Sequence, residues 1–110
     1  MSNFRNFETT KDAARATIAT TASQTTWTPA SGKRIRLNAF SVSVSAAGYF
    51  EVFLGSRRIF TFETADADFT GIQEIPSPGD LGAADGALTV KNGAGGNVSI
   101  ASSAWGREEV

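Results

Sequence analysis

The stretch Thr25-Thr26-Trp27-Thr28-Pro29-Ala30-Ser31-Gly32-Lys33-Arg34-Ile35-Arg36-Leu37 decides the fold. An alternating run ends at Pro29, which has no N–H to give to a ladder. Pro29-Ala30-Ser31-Gly32 supplies turn formers, and alternation resumes from Lys33. Two strands joined in this way open an antiparallel β-sandwich. Nothing in the stretch belongs to a recognisable catalytic motif.

Working outward, strand-like runs recur at intervals of about ten residues, the spacing of an all-β sandwich or barrel. Residues 14–21 form the first, with Ala16 and Ile18 on one face, and residues 24–28 the second. In the third, residues 33–45, Ile35, Leu37 and Ala39 share a face before the apolar set moves to Phe40, Val42 and Val44. A one-residue change of phase in a period of two predicts a β-bulge near Asn38 to Phe40. Beyond the turn at Gly48, Phe50, Val52 and Leu54 alternate with Tyr49, Glu51 and Phe53. Gly55-Ser56 predicts a type II′ hairpin leading into Arg57-Arg58-Ile59-Phe60-Thr61-Phe62, with Phe60 and Phe62 facing one way. Residues 67–75 read as a weaker strand interrupted at Gly71, and residues 76–86 as the longest loop. Leu88 and Val90 belong to a penultimate strand, and Val98, Ile100, Ser102 and Ala104 to the last. About eight strands of this kind predict an all-β fold, an antiparallel β-sandwich of jelly-roll type.

A chain of 110 residues is the size of one domain. Residues 14–110 are assigned to the sandwich and residues 1–13 to an extended N-terminal arm. Phe4 and Phe7 stand three apart in that arm, which reads either as a disordered terminus or as an arm whose two phenylalanines dock on a neighbouring subunit.

Composition narrows the function classes. Hydrophobic residues make up 41% and charged residues 19%, the balance of a globular chain. The net charge of −1 and a pI of about 5.3 offer no general attraction for a phosphate backbone, which makes nucleic acid an unfavoured partner. The absence of cysteine rules out disulfides and thiolate metal sites. Residues 1–8 lack the apolar core of a signal peptide, and no apolar run approaches the roughly 20 residues that span a bilayer. The expectation is therefore a chain made in the cytoplasm, with no membrane partner.

The absence of histidine removes Ser-His-Asp and Cys-His catalysis, histidine-ligated zinc and the usual general base. Paired carboxylates suffice for a glycosidase, and Glu51, Glu63, Asp66, Asp68 and Glu74 are the candidates. Glu51 and Glu63 alternate with apolar residues as solvated strand positions do, and no pocket is indicated, so the chain reads as a non-enzyme. Asp66, Asp68, Asp80 and Asp85 resemble turn aspartates more than a calcium loop, since the EF-hand offsets are missing. No cofactor and no metal are expected.

Lys33, Arg34, Arg36, Arg57 and Arg58 stand beside aromatics, as in base-stacking sheets, but charges that guard sheet edges account for them too. Trp27, Tyr49 and Trp105 are the candidates for a sugar-stacking platform, and a place in the core or a subunit contact is the favoured reading.

The run Thr28-Pro29-Ala30-Ser31-Gly32-Lys33-Arg34-Ile35-Arg36-Leu37 follows a Thr/Ser-rich strand. Together with Phe50-Glu51-Val52-Phe53-Leu54-Gly55 and the polar last strand near Trp105, it resembles small structural proteins of tailed bacteriophages and prophages. The resemblance spans roughly residues 14 to 105 as a pattern of strands and turns. It implies a jelly-roll protein of the virion, a head decoration (cement) or head-fibre component, commonly a trimer, with itself and the major capsid protein as partners. On that reading Phe4, Phe7, Trp27, Tyr49, Arg57, Arg58 and Trp105 are the candidate subunit or capsid contacts. The alternative is a carbohydrate-binding sandwich of a phage tail or adhesin, using Trp27, Tyr49 or Trp105.

Overall fold

The computed structural model describes residues 9–66 and 68–110, and every regular element among them is a β-strand. In chain order these are β1 (Thr9–Ile18), β2 (Ser23–Trp27), β3 (Arg34–Val44), β4 (Gly48–Leu54), β5 (Arg57–Thr64), β6 (Phe69–Glu74), β7 (Asp80–Leu81), β8 (Leu88–Asn92) and β9 (Val98–Glu109).

One sheet has the order β1-β9-β3-β6, with β7 also on β3, and the other has the order β2-β8-β4-β5, all pairs antiparallel. The pairs nest: β4 with β5, β3 with β6, β2 with β8, and β1 with β9. A long hairpin with its tip at Gly55-Ser56 has been rolled into two layers, which is the jelly-roll arrangement. At the tip, Leu54 pairs with Arg57 and Gly55 has φ 69° while Ser56 keeps a negative φ, matching the II′ turn expected from the sequence.

Inward positions alternate along β3, β4, β8 and β9, and their side chains form the core: Ile35, Leu37, Phe40, Val42, Val44, Phe50, Val52, Leu54, Leu88, Val90, Val98 and Ile100. The phase change in β3 is a bulge, since Leu37 pairs with Gly106 and Ala39 with Trp105, leaving Asn38 unmatched. Ala39 therefore turns outward instead of sharing the face of Ile35 and Leu37. Gly106 makes the bulge possible, because a Cβ there would collide with the Arg36 carbonyl oxygen.

Two elements differ from the sequence reading. Residues 9–13, assigned above to the arm, run as strand along β9, from Thr9 opposite Gly106 to Ala13 opposite Ser102. The strand begins early because β9 is long enough to offer a partner ladder, a non-local fact that the polar sequence Thr9-Thr10-Lys11-Asp12 does not announce. The long loop contains β7, which pairs Asp80 with Leu37 and Leu81 with Arg36.

The two edges of the sandwich differ in chemistry. At the β1/β2 edge, Gln24, Thr26 and Ser102 are buried and connected. Gln24 Nε2 donates to the Ile100 and Ala14 carbonyls at 2.7 and 3.0 Å, which turns Oε1 toward Ser102 Oγ at 2.7 Å. Ser102 spends its single proton on Gln24, so Thr26 Oγ1, 2.7 Å away, is the donor to Ser102. Among the described residues no buried side-chain polar atom lacks a partner. The β5/β6 edge has no such ladder. It is lined by phenylalanine.

Candidate interaction site

The inward positions of β6 are Phe69, Gly71 and Gln73, so that strand offers little bulk opposite Phe60 and Phe62 of β5. The gap is a groove of about 170 Å³ lined by Phe40, Phe60, Phe62, Phe69, Gly71 and Gln73. A second space of about 220 Å³ adjoins it through Phe40, Phe60 and Gln73 and continues to Ile59, Ile75 and Pro76. The aromatic walls hold one another. Phe50 stacks on Phe62 with ring centres 5.2 Å apart, Phe62 lies 5.8 Å from Phe69, and Phe40 meets Phe60 edge-on at 5.6 Å. None of Phe60, Phe62 and Phe69 is fully buried, and on the outer side of β6 Ile72 is 71% exposed.

An ion pair holds one end of this edge together. Arg57 at the start of β5 donates to both carboxylate oxygens of Asp80 at 2.9 and 3.1 Å and to the Leu81 carbonyl at 3.2 Å. The pair ties β5 of one sheet to β7 of the other, a bidentate geometry specific to guanidinium. Arg58 donates to Glu51 at 2.8 Å on the outward face of the β2-β8-β4-β5 sheet. In both, the carboxylate hydrogen bond raises the arginine pKa above its ordinary value.

Three of the basic residues singled out in the sequence are ion-paired within the fold. Arg36 binds Glu109 at 2.6 Å, and Arg57 and Arg58 have the partners just named, so three of the five expected cations are neutralised within the fold. The alternative of a shared aromatic strip does not form, and of the favoured roles Trp27 takes the place in the core. Trp27 is only 2% exposed and belongs to the core, because an irregularity between Thr25 and Trp27 turns both Thr26 and Trp27 inward. It is not available as a subunit contact or a sugar platform. Tyr49 lies half-buried on the outward face of the β4 sheet and Trp105 half-buried on the outward face of the other sheet, so the three rings share no face. Phe4 and Phe7 lie outside the described residues.

The groove residues Phe40, Phe69, Gly71 and Gln73 were not among the sequence candidates. A signal for them existed: Gly71 and Gln73 occupy inward positions of a strand that otherwise alternates, and a sandwich strand lacking inward bulk leaves a gap.

The outward face of the β1-β9-β3-β6 sheet is flat and small in side chain, with Ser41, Ser43, Ala101, Ser103 and Thr70 side by side. Arg15 crosses it to reach Ser43 Oγ at 2.8 Å and the Ser99 carbonyl at 3.3 Å. Among the described residues no cluster of three metal-ligating side chains occurs, and no helix is long and apolar enough to cross a membrane. No protein-family model matches the chain, and no curated protein matches its sequence.

Proposed function

We propose that this chain is a non-enzymatic structural protein of a virion, a capsid decoration (cement) protein that associates with itself, as a trimer, and stabilises a phage head by bridging its subunits. The observation that carries the reading is the open β5/β6 edge. A small sandwich that leaves a phenylalanine-lined groove beside an exposed isoleucine presents the kind of apolar surface that marks an interaction site. A domain of this size buries only a little over 60% of its chain surface, so assembly adds stability it otherwise lacks. The jelly-roll topology and the resemblance to phage structural proteins supply the setting, as analogy. The flat serine- and alanine-rich outer face gives a second, low-charge surface suited to a lattice.

The carbohydrate-binding alternative has lost its shared strip, since Trp27 lies in the core and Tyr49 and Trp105 face opposite ways. Protein chemistry of particles tests the leading reading. Purified virions from cells that make the protein should contain it at copy numbers comparable to the capsid subunit, and heads lacking it should break at lower temperature. Virions free of the protein, with the chain left in the soluble fraction, would overturn the reading.

A further inference from the structure

We infer that the β5/β6 groove receives the N-terminal segment of a second copy of this chain, with Phe4 and Phe7 as the inserted side chains. The inference rests on the self-association proposed above and says which surfaces make it.

Chemistry makes the match. The first space, about 170 Å³, is walled by Phe40, Phe60, Phe62 and Phe69, and the adjoining one, about 220 Å³, by Phe40, Ile59, Phe60, Ile75 and Pro76 together with Gln73, Glu74 and Asp80. A cavity of about 150 Å³ lined by apolar side chains accepts a benzene ring, so each space has room for one phenyl group. Residues 1–8 carry two phenylalanines and no other large apolar side chain except Met1.

Reach decides between the chain's own segment and that of another copy. Thr9 sits on β1, at the far side of its sheet from β6, with β9 and β3 between them. Three strand spacings of about 4.8 Å separate the two strands by about 14 Å. Along the strands the Gln73 part of the groove is offset as well, since Gln73 pairs with Phe40 and Phe40 with Ala104, which is level with Lys11, not Thr9. Phe7 precedes Thr9 by two residues, so its backbone reaches at most about 7 Å from it. A chain cannot place its own Phe7 in its own groove, and although its own Phe4 can span about 17 Å from Thr9, only a second copy can seat both rings. When each copy inserts into the next, the contact is head-to-tail, the kind that forms a ring when its rotation closes.

The absence of cysteine makes the test clean, because a disulfide can form only between introduced positions. A chain carrying Asn6→Cys is mixed with one carrying Gln73→Cys, both otherwise full length, and oxidised at micromolar concentration. The expected result is an interchain disulfide joining position 6 of one chain to position 73 of the other, in excess over like-with-like pairs. Gln73→Trp, which fills the groove, should weaken self-association at least tenfold, while Thr61→Trp on the outward face of β5 should leave it unchanged. Chains that remain oligomeric without the 6-to-73 link overturn this inference and leave the proposed function standing. A doubly substituted chain that links only to itself overturns it in favour of self-occupancy. Chains that are monomeric at every concentration overturn both.

Discussion

The indole Nε1 of Trp27 donates a 2.9 Å hydrogen bond to Glu108 Oε2, joining the end of β2 to the last turn of sequence in β9, 81 residues away. The other oxygen of Glu108 accepts the Ala30 backbone N–H at 3.0 Å. One carboxylate thus holds both the largest core side chain and the Pro29-to-Gly32 turn. Replacing it with alanine strands the N–H of a buried tryptophan. Because the site lies near the sandwich rim, where water reaches, Glu108→Ala should cost about 1 to 2 kcal/mol in urea unfolding. Glu108→Gln, which retains an acceptor, should cost less. Equal stability of the alanine variant and the parent would contradict this role.

Acid should loosen the same end of the molecule. Glu108 is held below the usual carboxylate range first by the Trp27 hydrogen bond and then by the Ala30 N–H. Glu109 is pulled down to about 2, first by the Arg36 hydrogen bond and then by that of Arg107. Carboxylates depressed in the folded state contribute stability that is complete above the unfolded value of about 4.3 and is lost as pH falls toward 2. Thermal melts between pH 5 and pH 2 should show a falling Tm, and Glu109→Gln should flatten part of that fall. A parent Tm independent of pH across this window would contradict the assignment.

Much of the fold was legible because its signals are local. The phase change from Leu37 to Phe40 announces the bulge, and Gly55-Ser56 announces the hairpin tip, each within a few residues. What escaped depends on pairing across the chain. Nothing near Thr9 indicates that β9 will offer it a ladder, and nothing near Trp27 shows that Thr26 and Trp27 both turn inward. Glu108 and Glu109 carry no local signal, since their partners lie on β3 and the β2–β3 turn. The groove was the least visible feature, since it is a deficit of bulk at Gly71 and Gln73 that matters only once β5 lies opposite.

The buried ladder at the β1/β2 edge should be sensitive to a single atom. Ser102→Ala removes the hydroxyl that serves both Gln24 and Thr26. Leaving two buried polar groups without a partner should cost about 2 to 3 kcal/mol, or a Tm drop of roughly 10 °C or more in a chain of this length. Adding Thr26→Val to Ser102→Ala should cost less than the sum of the two single changes, as a double-mutant cycle would show.

Gly106 should tolerate no side chain. A Cβ there would meet the Arg36 carbonyl oxygen across the ladder, and the bulge at Asn38 leaves the backbone no slack to retreat. Gly106→Ala should destabilise by about 1 to 3 kcal/mol, the range of forced overpacking. By contrast, Gly95→Ala, with open space around its Cβ, should change stability little. Similar unfolding midpoints for the two variants would contradict the packing described.

Sedimentation equilibrium of the unmodified chain at micromolar concentration tests the central claim most directly. The account predicts a mass three times that of the 11.5 kDa protomer, falling toward the protomer mass when residues 1–8 are removed. A mass of 11.5 kDa at every concentration, with or without those residues, would contradict it.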